Sequence, residues 1–61
     1  MQQRHWWCWE RAGNAVHFQA VTPQGAAELY RITLRRPHAA VYVAGIGSDH
    51  DSTYGPFHAT A

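Results

Sequence analysis

Lysine is absent from this chain, and its five strongly basic side chains are all arginines. Set against four acids they leave a net charge of only +1, too little for the basic field by which a general polyanion binder holds its partner. Cysteine is almost absent as well: Cys8 stands alone, which excludes an internal disulfide framework. No charged stretch followed by an apolar one marks a signal peptide, so a cytoplasmic protein is expected. No apolar run approaches the roughly 20 residues that cross a bilayer, so no membrane partner is expected either. Length is the last shortage. The 61 residues make one small domain, 1–61, and a domain of this size buries only about 60% of its unfolded surface, so that a partner or a second copy would add usefully to its stability.

What the chain has in excess is tryptophan. Trp6, Trp7 and Trp9 stand within four positions, and no core of this size encloses all three. On a strand, successive side chains point to opposite faces, so Trp7 and Trp9 share one face while Trp6 shares the other with Cys8. Some of this aromatic surface must face outward, where tryptophan is a good anchor for a partner.

Residues 4–12 are dominated by aromatic side chains suited to a pleated, half-buried surface, and they run into Gly13-Asn14, a dipeptide that closes two-residue hairpins. Residues 15–21 alternate, with Val16, Phe18 and Ala20 on one side and His17 and Gln19 on the other, and complete an N-terminal β-hairpin. Thr22-Pro23 then starts a helix: threonine caps it, and proline at the first helical position loses no hydrogen bond. Over residues 24–36 apolar side chains recur at three- and four-residue spacings, placing Ala27, Tyr30 and Leu34 inward and Glu28, Arg31 and Arg35 outward. Pro37 ends the helix. Gly25 opposes this reading by up to about 1 kcal/mol relative to alanine. Tyr30, Ile32 and Leu34 also alternate with Arg31, Thr33 and Arg35, which is the pattern of a strand and would make the fold an all-β mini-barrel. Residues 39–46 read as a central strand with Val41 and Val43 on one face and Tyr42 on the other. Residues 47–52 form a polar loop, and 53–61 supply a short edge strand broken at Gly55-Pro56. The expected fold class is α+β, one helix packed on a three- to four-stranded, mostly antiparallel sheet.

Five histidines, Cys8 and the Asp49-His50-Asp51 triplet raise the question of a metal. His5 and Cys8 point to opposite faces of a strand and no second close pair follows, so neither a metal site nor a cofactor is expected. His17 is the base that the hairpin would bring near Cys8, but a single cysteine among aromatics reads as an inert buried thiol and the chain as a non-enzyme. Gly45-Ile46-Gly47 opens no helix and is no phosphate loop. Trp7, Trp9 and Tyr42 with Arg4 and Arg11 would make a platform on which bases stack, the basis of a nucleic-acid alternative.

The stretch from Phe18 to Gly45 is a strand, Thr22-Pro23, a helix containing Ala26 and Ala27, then Arg35-Arg36-Pro37 and the valine-rich strand of Val41 to Val43. It resembles the strand-helix-strand plan of small accessory proteins encoded by phages and mobile elements, anti-CRISPR inhibitors among them. Arginine without lysine, in an alanine-rich chain, is also the mark of a GC-rich coding sequence of bacterial or phage type. The resemblance implies a compact protein, without cofactor or catalysis, that binds a host protein complex in the host cytoplasm and blocks it sterically. The side chains expected to meet the partner are Trp7, Trp9, Arg11 and Tyr42 together with the Arg31, Arg35, Arg36 cluster. A homodimer through an exposed aromatic face is a further expectation.

Overall fold

The computed structural model describes residues 2–46 and 53–59. In chain order these form β1 (Arg4–Trp9), β2 (Val16–Ala20), α1 (Pro23–Thr33), β3 (Val41–Gly45) and β4 (Thr53–Phe57). The helix lies on one antiparallel sheet of four strands in the order β2-β1-β3-β4, an α+β fold that excludes the mini-barrel. The expected loop at 47–52, with Asp49-His50-Asp51, lies outside the described residues, as do the last two residues of the expected edge strand.

β1 sits in the middle of the sheet although it comes first in the chain. It pairs with β2 through Arg4↔Ala20, Trp6↔Phe18 and Cys8↔Val16, and with β3 through Trp6↔Gly45, Cys8↔Val43 and Trp9↔Tyr42. Since β2 and β3 both run antiparallel to β1, they run parallel to each other, and α1 is the crossover that joins them. The hairpin is as expected, but its closure is not a two-residue turn at Gly13-Asn14. Both strands are shorter than 4–12 and 15–21, and the Gly13 N–H donates to Glu10 O at 3.0 Å to close a turn over residues 10–13. Glu10, on the helix side by alternation after Trp6 and Cys8, is bonded there to Tyr30 and Arg36.

The Thr22 side chain accepts from the Gly25 N–H at 3.0 Å and Pro23 opens the helix, as its sequence demands. Gly25 proves useful here. A Cβ on it would stand at an ordinary 3.5 Å from the Ala20 Cβ but only 3.2 Å from Thr22 Oγ1, so the missing side chain leaves room for the capping hydroxyl. The helix stops at Thr33, three residues before the expected end and before Pro37 can act. Arg35 turns to φ 56°, the Arg35 N–H bonds to Ile32 O at 3.3 Å and the Arg36 N–H to Arg31 O at 2.9 Å, a Schellman stop with arginine where glycine is usual.

The core lies between α1 and the sheet. Trp6 is only 2% exposed, and its indole N–H donates to Ala20 O at 2.8 Å, so the largest side chain of the core buries no unsatisfied donor. Around it are Cys8, Val41 and Val43 from the sheet and Ala26, Ala27 and Tyr30 from the helix, with Phe18 and Phe57 at the margin. The two alanines are fully buried, and their small size seats the helix directly on the strands. Leu34, expected inward, caps the helix and is 38% exposed, because the early stop turns it off the helical face. Arg31, expected outward, instead donates from Nε to Ala39 O at 2.9 Å and from Nη2 to Phe57 O, tying the helix to the approach to β3 and to β4.

Two substitutions check this account. Trp6→Ala is expected to lose about 3–5 kcal/mol in urea denaturation, through a cavity and an orphaned carbonyl at Ala20. Arg35→Gly is expected to gain about 1 kcal/mol in the same measurement, by removing a side chain from a left-handed backbone position.

Candidate functional site on the open sheet face

The side of the sheet away from α1 carries His5, Trp7 and Trp9 from β1, His17 and Gln19 from β2, Tyr42 and Ala44 from β3 and Thr53 from β4. No described element covers it. Trp7 is 43% exposed at its centre. Trp9 lies parallel to its register partner Tyr42, with ring centroids 5.8 Å apart and planes 15° apart. The Trp7 and His17 rings meet edge to face at 5.8 Å and 70°. His5 Nδ1 and His17 Nε2 are 2.8 Å apart while their ring centroids are 4.9 Å apart, so the imidazoles meet edge to edge through one shared proton. While that bond stands, one of the two rings must be neutral to accept it. The face thus carries aromatic and amide groups and no arginine or carboxylate among the described residues.

The expected contact residues divide into separate groups. Trp7, Trp9 and Tyr42 come together on the open face, as strand alternation requires. Arg11 lies in the exposed hairpin loop, where it helps line a depression of about 490 Å³ with Glu10 and Arg36. Arg36 forms an ion pair with Glu10, Arg35 is exposed at the helix stop, and Arg31 is committed to two backbone carbonyls. Arg31, Arg35 and Arg36 therefore form no joint surface with the tryptophans. Arg4 alternates with the Trp6 and Cys8 side and adds no charge to the aromatic face.

The histidines are what the sequence reading missed. His5 and His17 belong to the face by parity, but their contact depends on register, and the register follows from a hairpin loop longer than the turn dipeptide suggested. Cys8 and His17, by contrast, are kept apart by the sheet itself. The thiol is fully buried under the helix, burial pushes its pKa up to about 11, and His17 projects from the opposite side, so the two make no nucleophile and base. Among the described residues no three histidine, cysteine, aspartate or glutamate side chains gather as a metal site, and no helix is long and apolar enough to cross a membrane.

Glu10 is the electrostatic centre of the hairpin loop. The hydrogen-bonded guanidinium of Arg36 holds its carboxyl below the usual range against partial desolvation, and the Tyr30 hydroxyl, donating at 2.9 Å, adds to the effect. Burial, followed by the bond to Glu10, pushes the Tyr30 phenol up. No family model matches the chain, and neither a curated protein nor a solved structure is significantly similar to it.

A carboxyl lowered by folding stabilises the folded chain fully above its unfolded value, about 4.3, and ceases to do so as pH falls through the folded value. The native chain is therefore expected to melt higher than Glu10→Gln at about pH 7, and the two melting curves to converge below the ordinary glutamate range. Circular dichroism melts over that interval check this.

Proposed function

We propose that this chain is a small non-enzymatic interaction protein that docks its open sheet face on a protein partner. The narrower reading is an inhibitor of phage type that occupies the working surface of a host complex such as a CRISPR effector. The observation that carries the proposal is the row of exposed Trp7 with half-buried Trp9 and Tyr42, flanked by His5 and His17, on the sheet face away from α1. Aromatic side chains held in place by their neighbours give large contact area at little further entropic cost, and contiguous exposed patches of this type mark interaction sites. The burial of Cys8 and its separation from His17 support a role without nucleophilic catalysis. The blocking role rests on the strand-helix-strand plan and on the small size of the chain.

Nucleic acid is the competing partner class, and the placement of the arginines counts against it. A base-stacking platform needs cations beside it to hold phosphates, whereas the arginines here lie at the hairpin loop, the helix stop and the sheet margin.

Purified effector complexes, assayed for binding and for cleavage of target DNA, supply the test. Trp7→Ala and Trp9→Ala are expected to weaken binding by about 2 kcal/mol or more while the fold survives, unlike Trp6→Ala. Affinity should change little between about 50 and 200 mM salt, the range over which several phosphate contacts cost orders of magnitude. Retained binding by both variants would defeat the open-face reading. Tight nucleic-acid binding with a steep salt slope, lost on replacing Arg35 and Arg36, would put the competing class in its place.

A further inference from the structure

The two edges of the sheet differ in how they are guarded. On the β4 edge, the two-residue step from Val41 to Val43 faces the three-residue step from Tyr54 to Phe57, a bulge that contains Gly55 at φ 108° and Pro56. Bulge and proline both obstruct the addition of another strand. The β2 edge has neither. Val16-His17-Phe18-Gln19-Ala20 contains no proline and no acid, lysine or arginine, keeps unbroken register with β1, and among the described residues pairs with no strand on its outer side.

Backbone orientation shows which groups this edge offers. The Ile46 N–H donates to His5 O at 3.1 Å, so His5 and its alternates Trp7 and Trp9 turn their backbone groups toward β3, and Arg4, Trp6 and Cys8 turn theirs toward β2. Their register partners Ala20, Phe18 and Val16 answer them. The N–H and C=O groups of His17 and Gln19 therefore point out of the sheet.

We propose that β2 pairs antiparallel with β2 of a second copy of this chain about a two-fold axis at Phe18, forming one continuous sheet of eight strands, four from each copy. Only this kind of register lets the outward groups meet. His17 then opposes Gln19 of the second copy, and Gln19 opposes His17 of the second copy, each in a hydrogen-bonded pair, with Phe18 facing Phe18 of the second copy in the intervening pair where side chains approach closest. The occupant is a second copy because the strand is complementary to itself. It sets an imidazole against an amide and an aromatic ring against its equal, and it brings no like charges together. Phe18 is half-buried already, with its ring against the edge of Tyr30 at 6.3 Å, and the pairing covers its outer side. The two-fold axis runs perpendicular to the sheet, so both helices lie on one side and both aromatic faces on the other. This proposal does not rest on the open face's having a protein partner, and its test reads self-association alone.

Sedimentation should show the native chain dimerising as its concentration rises toward the millimolar range. The amides of His17 and Gln19 should gain protection from hydrogen exchange over the same range, and they should exchange freely on dilution. Two double variants then test the register. His17→Lys with Gln19→Lys sets like charges opposite each other in both pairs, whereas His17→Lys with Gln19→Glu sets opposite charges there. Their dimer dissociation constants should differ by at least about tenfold, the second being tighter. A chain still monomeric at millimolar concentration overturns the proposal. So do a dimer in which the two amides stay unprotected and equal association of the two double variants.

Discussion

A single short helix dries one face of a sheet, and the arrangement of this molecule follows from how tightly that one contact is made. Ala26 and Ala27 bring α1 down onto Trp6, Val41 and Val43, and Gly25 leaves room for the Thr22 hydroxyl that caps the first turn. A longer side chain at either alanine would lift the helix and open a gap over the core that no other described element fills. The fate of each tryptophan is then settled by parity alone. Trp6 enters the contact, and Trp7 and Trp9, one position to either side of its alternation, cannot.

Polar interactions fasten the far end of the helix. Tyr30 reaches from the core to Glu10, which also holds Arg36, so the hairpin loop is joined to the helix stop. Arg31 ties the same region to the carbonyls of Ala39 and Phe57. The cost of this fastening is cationic surface: two of the three arginines near the helix end are engaged within the fold, which is why a cluster in sequence is not a cluster of free charge in space. Neither engaged arginine reaches the open face, which carries no arginine among the described residues.

Much of this fold was legible in local patterns. Alternation placed Trp7, Trp9 and Tyr42 opposite Trp6, Cys8, Val41 and Val43, and Thr22-Pro23 marked the helix start to the residue. What sequence did not reveal depends on contacts between distant segments. The helix ends at a left-handed arginine, a conformation no propensity assigns to that residue, and Glu10 beside the hairpin loop is bonded to Tyr30 of the helix. Arg31 reads as a solvated side chain because its acceptors are backbone carbonyls, which look alike in every sequence. The His5 and His17 contact lay hidden for a related reason: parity gives the face of a strand but not its register.

Placing the first strand of the chain at the centre of the sheet also constrains the order in which the structure assembles. β1 can meet β2 early, across a short loop, but its other side must wait for β3, which arrives only after the helix has crossed. Until then the hairpin has one unpaired inner edge and an uncovered Trp6. Closing a long loop before its contacts stabilise it slows folding. The β1–β3 pairing is therefore the expected late step in assembly.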